Sequence, residues 1–94
     1  MPVFLIERRF AEQLETEASA EDDAGLRELY RINDEEGVRW LSSFLSADKR
    51  KTFCLYEASD MDAIRRAAER AGLPADVIVE LSGEIAPDGA FTSF

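Results

Sequence analysis

A chain of 94 residues is room for one domain, and 46% hydrophobic with 33% charged residues is the composition of a folded globular protein, not a disordered one. Twenty acidic against eleven basic side chains give a formal charge of −9, a field that repels nucleic acid and anionic membrane. With no histidine and a single cysteine, the chain lacks the parts for histidine-based catalysis, for zinc sites built on histidine or on several cysteines, and for an internal disulfide.

Residues 2–9 (PVFLIERR) alternate Val3, Leu5 and Glu7 against Phe4, Ile6 and Arg8. Both sets begin apolar, which predicts a central strand covered on two faces. The apolar run from Val3 to Ile6 is too short to span a membrane, and Glu7, Arg8 and Arg9 fall where a signal peptide needs apolar residues. A cytoplasmic protein is expected. Residues 10–18 have no clean period and read as a loop with a turn of helix. Ser19 followed by Glu21 and Asp22 has N-cap spacing, with acids where the helix dipole favours them. Leu26, Leu29, Tyr30 and Asn33 then share about a third of a helix's circumference, and the helix stops near Gly37.

Residues 38–46 (VRWLSSFLS) predict a second strand, with Trp40, Ser42 and Phe44 facing one way and Leu41 and Leu45 the other. A polar turn at residues 47–50 leads into a third strand, residues 51–58 (KTFCLYEA). The basic triplet Lys49-Arg50-Lys51 is then a solvated hairpin tip. Ser59 and Asp60 repeat the capping pattern, and Met61, Ile64, Ala67, Ala68 and Ala71 form a narrow stripe of mostly small residues suited to lying close on a sheet. Gly72 and Pro74 end that helix. Residues 76–85 (DVIVELSGEI) read as the fourth strand. The order βαββαβ is the ferredoxin-like α+β arrangement: a four-stranded antiparallel sheet, order 4-1-3-2, with two helices on one face. Residues 1–85 make this domain and residues 86–94 a C-terminal tail.

Two helices cover one face, yet Val3, Leu5, Phe53 and Leu55 make the other apolar as well. A bare patch of that size is unusual on a monomer. The simplest cover is the same face of a second copy, so a homodimer of the α+β-barrel kind is expected. The tail, with Phe91 and Phe94, folds back, reaches the partner or frays.

Candidate chemistry rests on carboxylates. Glu7 shares the face of Val3 and Leu5, and Glu57 that of Phe53 and Leu55; in an antiparallel pair they fall at opposite ends, so one subunit offers no close dyad. Either each closes a strand near solvent, paired with Arg8, Arg9 or Lys51, or they line a cavity under the sheet. Glu80, on an edge strand, is expected in solvent. Asn33 either bonds nearby backbone or directs its amide to a pocket, and Tyr30, one turn earlier, is core or pocket wall. Cys54 reads as a small buried hydrophobe, and Glu57 alternates onto the opposite face from it.

The segments Glu35–Leu41, Lys51–Ala58 and Ala71–Asp76, with Ile78-Val79-Glu80 and the opening Phe4–Arg8, resemble a small bacterial family catalogued as domain of unknown function 4242, of nickel-binding-protein type. The resemblance runs from Pro2 to Leu81 and implies a ferredoxin-like, dimeric fold with a nickel-binding role in some members. Lacking imidazole, a divalent metal would fall to Glu7, Glu57 and backbone or water oxygens. The expected function is a dimeric binding or sensing protein holding a small-molecule ligand, or a metal, with Glu7, Tyr30, Asn33 and Glu57 as candidate ligand-binding residues. The alternatives are a cofactor-independent monooxygenase or isomerase using Glu7 or Glu57 as base, and an adaptor whose acidic surface meets a basic partner.

Overall fold

In the computed structural model, which describes residues 1–14 and 24–94, β1 (Val3–Arg9) runs through the middle of a four-stranded antiparallel sheet. It is flanked by β3 (Lys51–Glu57) and β4 (Val77–Leu81), with β2 (Arg39–Leu45) outside β3, so the order is β2-β3-β1-β4. Helices α1 (Ala24–Glu36) and α2 (Met61–Ala71) complete the expected ferredoxin-like α+β fold. The N-cap expected at Ser19 lies outside the described residues, as do residues 15–18 of the loop before it.

Alternation along β1 sends Phe4 and Ile6 toward the helices beside Cys54 and Tyr56 of β3, where they meet Ile32, Val38, Ala63, Ile64 and Ala67. Phe4, Ile6 and Ile64 are fully buried, each contributing about 1.5–3 kcal/mol by leaving water. Ala63 and Ala67 of α2 pack into this cluster. The N-terminus of that helix is closed by Asp60, whose Oδ1 accepts from the Ala63 amide at 2.8 Å. Its C-terminus ends in a Schellman turn: Gly72 is left-handed at φ 68°, Gly72 N donates to Glu69 O, and Leu73 N to Ala68 O. α1 ends the same way, with Gly37 at φ 70°, Gly37 N donating to Asp34 O and Val38 N to Asn33 O. Asn33 in α1 thus occupies the place that apolar Ala68 holds in α2.

Arg8 turns inward with Phe4 and Ile6 and is 4% exposed. Its Nη1 donates to Pro74 O at 2.6 Å, and its guanidinium carbon lies 5.8 Å from the centre of the Tyr56 ring. The side chain therefore ties the α2–β4 link to the middle of the sheet. It is not the partner of Glu7 or Glu57.

The expected alternation along β2 is overturned. A β-bulge at Leu41 places Trp40 opposite Tyr56 but Ser42 opposite Leu55, Ser43 opposite Cys54 and Phe44 opposite Phe53. Trp40 and Ser43 consequently face the helices, while Ser42 and Phe44 face the other way. β4 is also shorter than expected. It stops at Leu81, and Gly83–Ile85 (β5) pairs with Phe91–Ser93 (β6) as a separate hairpin. Glu80 is exposed, as its edge position implied. On the sheet's open face Leu5, Phe53 and Leu55 are half-buried, and Phe44, Val77 and Val79 are exposed.

Charged groups lace the two helices together. Glu36 accepts from Arg66 Nε at 2.9 Å and from Arg70 Nη1 at 3.0 Å, Arg70 also reaches Glu35, and Arg31 bonds both Glu35 and Glu28. The Arg66 and Arg70 guanidinia hold the Glu36 carboxyl below the usual carboxylate range, and Arg70, then Arg31, do the same for Glu35. A carboxyl depressed in the folded state stabilises it above the unfolded pKa, about 4.3 for Glu, and loses that contribution as pH falls through the folded value. Glu36→Gln is therefore expected to lower the melting temperature at pH 7, with the gap to wild type closing as the solution is taken below the ordinary Glu range. Thermal unfolding by circular dichroism across that range measures it; a gap that persists in acid would show that the loss is not ionic.

Candidate functional site

Between the C-terminal half of α1 and edge strand β2 lies an open cleft of about 770 Å³, within the range of small-ligand sites. Tyr30, Asn33, Trp40, Leu41, Ser42 and Ser43 are among its lining residues. Trp40 stands between two tyrosines, tilted 42° against Tyr30 at 6.0 Å and stacked on buried Tyr56 at 6.4 Å. Its indole Nε1 donates to Ser43 Oγ at 2.8 Å. In a regular strand residues three apart face opposite ways; the bulge alone brings these two to one side. Accepting from Trp40 leaves the Ser43 hydroxyl its own proton to donate.

Asn33 is the anomaly of this wall. It is 5% exposed, and its Nδ2 has no hydrogen-bond partner among the described residues. A buried donor left unmade costs about 1–3 kcal/mol, and most buried polar groups avoid it. At the same position of the other helix end, Ala68 incurs no such cost. Below the indole, burial pushes the Tyr56 hydroxyl up from its ordinary pKa, an effect that the nearby Arg8 charge opposes.

Of the residues singled out from sequence, the fold brings Tyr30 and Asn33 together at this cleft. Tyr30 is wall more than core, being 42% exposed. Glu7 and Glu57 lie elsewhere, on the open sheet face. Glu7 stands across from Phe53 and Glu57 across from Val3, so roughly 13 Å of strand separates them. Glu7 Oε2 is 2.7 Å from Arg9 Nη2, and Glu57 Oε1 is 3.7 Å from Arg39 Nη1. Arg39, which also lines the cleft, was not among the expected partners.

Sequence reading missed Trp40 and Ser43 as site residues because unbroken alternation grouped Trp40 with Ser42 and Phe44, on the side opposite Ser43. A signal for Asn33 was available: a left-handed glycine four residues on marks the position where Schellman turns favour an apolar side chain.

The donor set for a metal is thin. Cys54 is 4% exposed and faces the helices, its Sγ 3.5 Å from Thr52 Oγ1, and Glu57 faces away. Among the described residues no three carboxylate, cysteine or histidine side chains gather within reach of one ion. A nickel site of nitrogen and sulfur ligands does not fit this chain taken alone.

Among the described residues no helix is long and apolar enough to cross a membrane. No curated protein matches the sequence. The crystal structure of SCO4226 from Streptomyces coelicolor A3(2) shares the fold, with a TM-score of 0.68 at 23% identity over 84% of this chain and 94% of that one. A family model described as nickel responsive protein SCO4226-like matches residues 4–81, a description that stands in place of the expected domain of unknown function 4242. The match spans most of the chain and stops at Leu81, with only Ser82 between it and the β5–β6 hairpin. The chain belongs to the SCO4226-like family of nickel responsive proteins.

Proposed function

We propose that this chain is a dimeric binding or sensing protein whose ligand is a small, neutral, planar molecule carrying a hydrogen-bond acceptor, received in the cleft beside Trp40. The observation that carries the reading is the unpartnered Nδ2 of Asn33. A donor left unmade in a buried wall is a cost to folding that an acceptor on a ligand removes. Rotation of the amide toward the cleft presents that donor, with the Ser43 hydroxyl beside it and the Trp40 and Tyr30 rings as apolar walls. The charge of −9 disfavours anionic ligands. Pairing of two open sheet faces, each carrying Leu5, Phe53, Leu55, Phe44 and Val79, is the isologous contact that supports the dimer.

Trp40 is the only tryptophan, so its emission reports the cleft directly. Titration with benzamide and nicotinamide is expected to perturb that emission saturably. Asn33→Leu, which removes the amide at similar volume, is expected to weaken binding at least tenfold while leaving the melting temperature unchanged or raised. A panel of such aromatic amides with no saturable effect, or an Asn33→Leu protein that is strongly destabilised, would count against the reading.

The family description favours a second reading, a response to nickel. The donors on one chain do not support a tight site, so titration calorimetry with nickel chloride is expected to show no binding in the micromolar range. Saturable micromolar binding that disappears in Glu7→Gln would reverse that expectation.

A further inference from the structure

We infer that the β5–β6 hairpin is an arm that closes over the open sheet face of a second copy of this chain. The inference rests on the dimer reading above and names the element that completes its interface.

The hairpin is built, not frayed. Gly83, Glu84 and Ile85 pair with Ser93, Thr92 and Phe91. Its turn is closed by Ala86 N donating to Ala90 O at 2.9 Å, Gly89 N to Ala86 O at 2.8 Å, and Ala90 N to Asp88 Oδ1 at 2.9 Å. The Phe91 ring lies so close over Gly83 that a Cβ there would come within 2.5 Å of its Cζ and 2.4 Å of Thr92 O. Phe94 N donates to Ser82 O at 3.1 Å, pinning the chain end to the base of the arm. A two-stranded hairpin alone is marginal in water, so an ordered arm of this kind implies a surface to lie on.

That surface is not its own sheet. Ile85 is 74%, Phe91 58% and Phe94 50% exposed, while Phe44, at 59%, and Val79, at 45%, are exposed on the open face. One chain thus carries two apolar surfaces that do not cover each other. Reciprocal exchange between two copies covers both with a single two-fold contact.

Area points the same way. Four strands about 4.8 Å apart, three of seven residues and one of five, give a face of about 19 Å by 17–23 Å, a footprint of some 300–450 Å². A stable interface commonly takes about 800 Å² from each partner. Each arm adds its own surface to the area of that face. From Gly83 to the turn it reaches roughly 10–13 Å, enough to lie across two or three strands of that face. Only Ser82 separates it from β4, whose Val77, Val79 and Leu81 belong to the same open face, so arm and face are continuous.

The test uses the full chain. Sedimentation equilibrium of the wild type and of the double variant Ile85→Ser, Phe94→Ser is expected to show a dimer whose dissociation constant rises at least tenfold in the variant. Both positions are half or more exposed in one copy, so the circular dichroism of the variant should match wild type. In a dimer mixed from labelled and unlabelled chains, isotope-filtered contacts are expected from the Phe91 and Phe94 rings to the methyl groups of Leu55 and Val79 across subunits. An unchanged dissociation constant, or ring contacts found only within one chain, would overturn the arm and leave the dimer standing. A full chain that sediments as 10.5 kDa at every concentration would remove dimer and arm together.

Discussion

The structure is organised by a mismatch between its sheet and its helices. β1 and β3 present apolar side chains on both faces, and two helices can roof only one of them. Everything on the helix side follows from good packing: Phe4, Ile6, Cys54 and Tyr56 meet the small residues of α2, and Arg8 is drawn in to bind the Pro74 carbonyl. On the other side the same alternation leaves Leu5, Phe53 and Leu55 partly open and Phe44 and Val79 in water. A monomer rarely leaves a contiguous apolar face of this kind bare.

Much of this was legible in the order of residues. Period-two alternation in residues 2–9 and 51–58, capping at Asp60 and glycines at positions 37 and 72 were enough for the βαββαβ order and for the opposed placement of Glu7 and Glu57. What escaped was local departure from period. The bulge at Leu41 has no proline or glycine to announce it, since Trp-Leu-Ser-Ser suits a regular strand equally well. The end of β4 escaped for a related reason: Gly83 and Ile85 extend its apolar alternation but belong to the hairpin. The inward turn of Arg8 was hidden because its acceptor is a backbone carbonyl 66 residues away, which leaves no mark in the side-chain pattern.

The candidate cleft is made by two such departures meeting. One helix ends with an amide where its sister helix ends with a methyl group, and the strand that follows steps out of register to bring an indole and a hydroxyl alongside. Neither feature is required by the ferredoxin-like frame, and both carry a local cost, in an unmade hydrogen bond and a disrupted ladder. Departures from local consistency concentrate where a protein does something besides fold. Glu7 and Glu57, by contrast, are held by Arg9 and Arg39 at the margins of the open face, and their part is in its rim.

The extra residue in β2 also sets what the strand gains or loses with its length. Trp40 and Phe44 are an even number of positions apart, so only the irregularity at Leu41 lets one face the helices and the other the open side. A chain one residue shorter at Leu41 would reach the same arrangement by plain pleating, with Trp40 still opposite Tyr56 and Phe44 still opposite Phe53. What it would lose is the Leu41 side chain from the wall and the local bend of the strand. A chain of the present length forced into regular pleating, by contrast, would have to turn either the indole or the phenyl ring to the wrong side.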